Sequence, residues 1–386
     1  MSKRRSYYLN NASTNYTKTG NFNMADALYE ENIKARREIE LLEDKIKQLV
    51  GAPDDAKVIF NSGSTESIAT CVHWAKSVNP YGVVVGTQYD HSAVYENCKI
   101  YDLEYAKLEH PEDAMDDRTS CVFITQVDGK TGQIYPVDSF VNNINGYHYL
   151  YKDYSDFTNM NYKKVLQYRP LRFLDATQSV TKVPIDMKTW EFDAVFWSNH
   201  KIGGDMGKGV MIISEQNYPF TPLIAGAQNN GMRGGSQSAN SILKDKYIYN
   251  QRDDINKRKK YWLAAVKFLK SNNINVYEPK GEHLYNTILM DTNTKCPYTI
   301  LSALSAQKIY LSPKSACMIE KRMNEQNKNN KDDWVQIDGG DNSTIKPFDN
   351  AIRLSFVDGE KDLDSYVLET IAETINESFK MSPELY

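Results

Sequence analysis

The chain has 386 residues, more than the roughly 250 to 300 at which a single hydrophobic core stops growing, so two lobes are expected. Hydrophobic residues make up 41% and charged residues 25%, ordinary values for a folded domain that exclude a disordered or fibrous chain. With a formal net charge of −4 and acidic residues interspersed among the Lys and Arg, nucleic acid is not expected as the primary ligand.

In chain order, a short strand is expected at residues 7–9. Residues 24–50 then form a helix: Leu28, Ile33, Ile39, Leu42, Ile46 and Leu49 recur at roughly helical spacing before Gly51 and Pro53. Short β-rich pieces follow at residues 58–60, 82–85, 121–125, 173–174, 194–197 and 209–213, separated by helix-length segments. That alternation predicts a mainly parallel sheet covered by helices on both faces. A long polar helix over 244–270 leads into a smaller C-terminal unit with strands at 287–290 and 352–356. The polar run 324–344 reads as a surface loop. The expected division is an N-terminal segment 1–20 contributing to the small domain and active site, a large domain 21–250 and a small domain 251–386.

The five cysteines (Cys71, Cys98, Cys121, Cys296, Cys317) are odd in number and contain no CxxC pair, which argues against a disulfide framework or a zinc site and for a reducing compartment. The basic N-terminus has no apolar run behind it, and no stretch approaches the ~20 apolar residues that span a bilayer. A cytoplasmic protein without membrane attachment is expected.

Two segments carry candidate chemistry. Phe60 to Glu66 reads as a strand end running through Gly63 into Ser64 and Thr65 at a helix start, a source of N–H groups for a phosphate or merely a capped helix. Farther on, Asp175 follows one apolar strand, with Gln178 three residues later, and a second strand delivers Ser198, His200 and Lys201. Two strand ends opening on one crevice are where α/β sheets bind ligands. Pyridoxal 5'-phosphate requires a lysine for covalent attachment and a carboxylate to keep its pyridine nitrogen protonated. Lys201 and Asp175 supply both. Ser198 and His200 are placed to reach the phosphate, and Gln178 the phenolic oxygen.

The motifs YLNNAST (8–14), NSGSTES (61–67), YDHSAV (89–94), DATQSVTKVPIDM (175–187), SNHKIGGDMGKG (198–209), MRGGSQSAN (232–240), LSPKSAC (311–317) and IRLS (352–355) stand in co-linear order through nearly the whole chain. In that order they resemble the class V aminotransferase-fold enzymes, specifically NifS/IscS-like cysteine desulfurases. The resemblance implies the α/β architecture of fold type I pyridoxal-phosphate transferases, with a mainly parallel seven-stranded sheet in the large domain and a smaller α/β C-terminal domain. It implies a homodimer with shared active sites. It assigns His91 to ring stacking and proton transfer, Ser64, Thr65, Ser198 and His200 to the phosphate, and Ser236 to the phosphate held by the partner subunit. Arg353 would clamp the substrate carboxylate, with Asn11 close by, and Asn286 matches the family's asparagine leading into the small domain.

Cys317 falls where the family places its nucleophile. There a thiolate would take sulfur from L-cysteine, giving L-alanine and a persulfide for an acceptor such as an iron–sulfur scaffold. The other four cysteines sit in apolar or helical settings that suit inert residues. Three departures stand out: Gly129 where the family has an asparagine near the phenolic oxygen, Asp205-Met206 in place of Pro-Lys, and Lys314 before SAC. Two other readings stand beside this one: a selenocysteine lyase or other β-elimination enzyme that does not need Cys317, and a weakly active cofactor-binding protein that works by interaction, which Gly129 keeps open.

Overall fold

The computed structural model describes residues 30–116, 118–144, 169–215, 218–250, 254–292, 297–313, 351–357 and 359–381. Its larger sheet runs β1 (Lys57–Asn61), β7 (Gly209–Ile213), β6 (Ala194–Ser198), β5 (Leu171–Asp175), β4 (Thr119–Thr125), β2 (Val83–Thr87), β3 (Glu104–Leu108) in spatial order. All neighbours are parallel except that β7 is antiparallel to both β1 and β6. The mainly parallel sheet expected from the alternation is therefore present.

Strands buried on both faces need apolar side chains on both, and this sheet has them. Val58, Phe60, Val122, Ile124, Val195 and Trp197 point to one face, where they meet Ile39, Leu42 and Ile46 of α1 (Glu30–Leu49) and Phe140 of α4 (Val137–Ile144). The alternate residues Ile59, Cys121, Phe123, Ala194 and Phe196 meet Ile68, Val72 and Trp74 of α2 (Ser64–Val78) and Val94 of α3 (Ser92–Ile100). The period-two register thus sorts one set of strands into two cores.

A second, four-stranded antiparallel sheet has the order β10 (Ser312–Pro313), β11 (Ile352–Ser355), β9 (Thr287–Met290), β8 (Val276–Tyr277). Ile288, Met290, Ile352 and Leu354 from its strands pack with α6 (Ile255–Ser271), α7 (Pro297–Ala306) and α8 (Ser365–Met381) into a third core. The segment after β4 joins the two sheets, because Ile134 N donates to Glu282 O at 2.9 Å and Leu284 N to Gly132 O at 2.9 Å.

Two expectations are corrected. The single helix over 244–270 is broken: α5 (Ala239–Lys244) stops, Lys246–Asn250 forms a 3-10 turn, and α6 starts afresh. Asp254 sets that start by accepting from Asn256 N and Lys257 N, an N-cap inside what the charge pattern reads as continuous helix. Strand β3 was not expected. It is an edge strand with no fully buried residue and with a glutamate and a lysine exposed, so it lacks the apolar run of its neighbours. The expected strand at 7–9 and loop at 324–344 lie outside the described residues.

Candidate active site

The parallel strands β2, β4, β5 and β6 end along one edge of the large sheet, and that edge gathers the candidate residues. Asp175 is the last residue of β5 and is buried, its Oδ1 accepting from Thr177 N at 2.9 Å. Burial pushes its carboxyl above the ordinary value, while Thr177 and the His91 imidazole pull it back. His91 is an exposed residue at the head of α3, beyond β2, and its Nδ1 accepts from Ala93 N at 3.1 Å. In the neutral imidazole the proton then sits on Nε2.

Strand β6 ends at Ser198, and the chain turns at once through Asn199–Ile202, which carries His200 and Lys201, both exposed. The His200 imidazole is held below its ordinary pKa by burial and by the Lys201 cation. Ser198 Oγ lies 2.8 Å from Ser64 N, which donates to it, and 2.8 Å from Ser64 Oγ. Two hydroxyls and the first amides of a four-turn helix thus converge. The N-cap residue Gly63 has no side chain to cap helix α2, and the hydroxyl that meets its first amide comes from Ser198. Gly63 makes the approach possible, because at φ 137 it occupies a region closed to other residues and a Cβ there would stand 3.0 Å from Ser198 Oγ. Thr65 follows in the first turn, exposed.

Gln178, half-buried, lies beside Gly129: a Cβ on Gly129 would sit 3.4 Å from Gln178 Nε2. A Cβ at 129 would therefore be in ordinary contact with Gln178. Arg353 reaches the same turn from the second sheet, donating from Nη1 to Gly129 O at 2.6 Å and from Nε to Ser312 Oγ at 3.1 Å. Asp128 precedes Gly129 and is buried. Its carboxylate accepts Lys130 N at 3.1 Å, Thr131 N at 3.2 Å and Thr131 Oγ1 at 2.7 Å, and so shapes the turn. Asn286 lies at the junction of the sheets, its carbonyl accepting Phe356 N at 3.0 Å.

Ser236 is exposed on its own chain, on a segment tied to the β1–α2 junction by Gln237 Nε2 donating to Phe60 O at 2.7 Å. Asn11, Cys296 and Cys317 lie outside the described residues. Burial raises the thiol pKa of Cys71, Cys98 and Cys121, which suits the inert role expected of them. Among the described residues no group of His, Cys, Asp and Glu is arranged to hold a metal ion, and no helix is long and apolar enough to cross a membrane. The sequence reading missed Ser312 as a partner of Arg353, since only strand pairing brings them together.

The family model for class V aminotransferases matches residues 8–152 and 160–241. The chain belongs to the class V aminotransferase family. Pyridoxal phosphate is the cofactor of that family, and the residues present fit it: a hydroxyl-lined helix N-terminus for a phosphate, a buried carboxylate for a protonated ring nitrogen and a lysine on the turn that follows β6. Among class V relatives, a cysteine desulfurase of Cereibacter sphaeroides is 26% identical over 216 residues, covering 51% of this chain and 50% of that protein. The cysteine desulfurase NifS of Azotobacter vinelandii is 26% identical over 213 residues, 51% and 48% of the two chains. The chain thus spans about half the length of these relatives. Two solved structures share the fold along most of the chain. A NifS-like protein from Rickettsia africae superposes with a TM-score of 0.67 at 19% identity, over 92% of this chain and 91% of that one. The apo cysteine desulfurase of Thermococcus onnurineus gives 0.68 at 14% identity, over 93% and 88%. Arg353 and Cys317 lie beyond the residues matched by the family model.

Proposed function

We propose that this protein is a cysteine desulfurase that removes sulfur from L-cysteine, leaving L-alanine and a persulfide on Cys317 for an acceptor protein. The observation that carries this reading is the meeting of three parts at one sheet edge: the Ser64–Ser198 cradle, the Asp175 carboxylate beside His91, and Arg353 reaching in from the second sheet.

Pyridoxal phosphate, when bound, supplies an electrophilic carbon for amines and a ring that accepts an electron pair. Ser64, Thr65, Ser198 and His200 would hold its phosphate, and Ser236 that of a partner subunit in a homodimer. Asp175 would keep the proton on the ring nitrogen. Being buried, the carboxylate is poorly solvated alone, and a cation against it offsets that cost. Lys201 Nζ would make the covalent attachment, Gln178 would donate to the phenolic oxygen, and His91 would move protons through Nε2. Arg353, with Asn11 nearby, would orient the substrate carboxylate by a two-pronged contact. The Cys317 thiolate would then bond to the substrate sulfur as the carbon–sulfur bond breaks. Support for that placement is Ser312, which touches Arg353 and stands five positions before Cys317 in the sequence. Conditions that keep a thiolate free fit a cytoplasmic setting.

Incubating the protein with L-cysteine, then measuring alanine, sulfide and the mass of the peptide holding Cys317, tests the reading. We expect added sulfur on that peptide, and loss of both sulfur transfer and turnover in Cys317→Ala. Turnover retained in Cys317→Ala would instead fit a selenocysteine lyase or other β-elimination enzyme. No turnover in either protein would fit a cofactor-binding interaction protein.

A further inference from the structure

Behind the turn that carries Lys201 lies a charged cluster that the proposed chemistry does not use. Asp245, just after α5, is 1% exposed. Its Oδ2 accepts from Asn199 Nδ2 at 3.0 Å and from Asp205 N at 3.2 Å, and its Oδ1 from Lys208 Nζ at 3.3 Å. Lys208 Nζ also donates to Ser241 O at 2.6 Å and pairs with Asp205 Oδ2 at 3.0 Å. The Asn199 side-chain oxygen accepts from Tyr249 OH at 3.1 Å, so both ends of that amide are engaged. The backbone closes the same loop, Asn199 N donating to Lys208 O at 3.0 Å and Gly204 N to Asn199 O at 2.9 Å. A side chain at 204 is excluded, since a Cβ would stand 2.8 Å from Asp245 Oδ2.

One carboxylate therefore grips the entrance of the 199–208 loop through Asn199 and its exit through Asp205 and Lys208, with Lys201 between them. Taking a carboxylate out of water is unfavourable unless it is paired and hydrogen-bonded. Asp245 recovers that cost only when the loop holds this one shape. Asp205, one of the two residues that depart from the family pattern, enters this network through both its amide and its carboxylate.

We propose that Asp245, acting through Asn199 and Lys208, is a positioning residue for Lys201, setting how tightly and how fast the chain captures pyridoxal phosphate. The proposal rests on Lys201 being the cofactor lysine. It goes beyond the sulfur chemistry, and holds for any reaction run on that lysine.

The test uses full-length apo-protein titrated with pyridoxal phosphate, following the dissociation constant and the rate at which the visible band of lysine-bound cofactor appears. Asp245→Asn keeps the volume and one acceptor but drops the charge pairing Lys208. Asn199→Ala removes the link to the lysine turn while leaving Asp245 paired with Lys208. We expect each to weaken binding and slow band formation by about tenfold, the scale of one lost hydrogen bond to a charged group. Lys244→Ala, which breaks only the exposed pair with Asp205, should stay within about twofold of wild type. Wild-type affinity and rate in both test variants, with native circular dichroism, would overturn the proposal. Failure of both to fold would overturn it too, assigning the cluster to the fold instead of to the lysine. Lys201→Ala separates the underlying reading: a band formed there without added amine removes Lys201 as the cofactor lysine, whatever Asp245 does.

Discussion

At the scale of single residues, the candidate site is built on acids held away from water. Asp90 stands one position before His91 and is 7% exposed. Thr87 Oγ1 donates to it at 2.6 Å, Thr125 Oγ1 at 2.7 Å and Tyr105 OH at 3.0 Å. Burial outweighs these donors and pushes its carboxyl up to about 6. Because the folded protein holds that proton more firmly than the unfolded chain, the contribution to stability is complete below the unfolded value near ~3.9 and is lost as pH rises through about 6. The shift corresponds to something on the order of 3 kcal/mol. Urea unfolding between pH 4 and pH 8 should therefore show wild type losing stability relative to Asp90→Asn by a few kcal/mol; a constant difference across that range would contradict the buried titration. Asp175 has the same origin but a different task. Asp175→Asn preserves shape and removes the charge proposed to hold a proton on the cofactor ring. We expect turnover to fall by at least ~100-fold while the protein folds and still binds pyridoxal phosphate, as measured by alanine release beside an absorbance titration. Of these residues the sequence made Asp175, Lys201 and the Ser64 segment legible, because each follows an apolar strand. It did not reveal Asp245, Asn199 or Ser312, whose meaning depends on partners far away in the chain.

The elements follow the same logic. Strands buried on both faces announce themselves as apolar runs, and six of the seven in the large sheet were readable that way. Edge strand β3 was hidden, since one solvated side removes the pattern, and the break before α6 was hidden by a lysine-rich stretch that reads as one helix. The junction of β1 and α2 was legible only as an ambiguity between cap and cradle. Its backbone shape was not legible: Gly63 at φ 137 turns the first helical amide onto Ser198 Oγ. Gly63→Ala forces a side chain into that conformation and against a hydroxyl 3.0 Å away. The expected loss is ~1–3 kcal/mol in urea unfolding, together with weaker binding of pyridoxal phosphate and of inorganic phosphate as its competitor. Ser64→Ala removes a hydroxyl without backbone strain. It should weaken binding while leaving unfolding within about 1 kcal/mol of wild type, and equal losses in both measurements would reduce the cradle to a packing feature.

For the molecule as a whole, the question is how two sheets with separate cores complete one site. Their backbones are stitched where Ile134 N meets Glu282 O and Leu284 N meets Gly132 O, and Asp128 holds the turn between those bonds and β4 in shape. Arg353 adds a side-chain link at the same seam, its Nη1 on Gly129 O and its Nε on Ser312 Oγ. These two acceptors fix the plane of the guanidinium, so its orientation at the site is decided before any substrate arrives. A lysine keeps the charge but has a single nitrogen, which cannot hold both acceptors and present a fork to a carboxylate. The backbone bonds and the core around Ile288, Ile352 and Leu354 do not involve the guanidinium, so the fold should survive its loss. Arg353→Lys is therefore expected to unfold within about 1 kcal/mol of wild type. Its KM for L-cysteine should rise by roughly 10- to 100-fold, with a smaller change in kcat, the pattern of binding lost equally in ground and transition states. An unchanged KM would place the substrate carboxylate elsewhere. A drop in kcat with KM untouched would mean that Arg353 serves the closure of the two sheets and not the substrate.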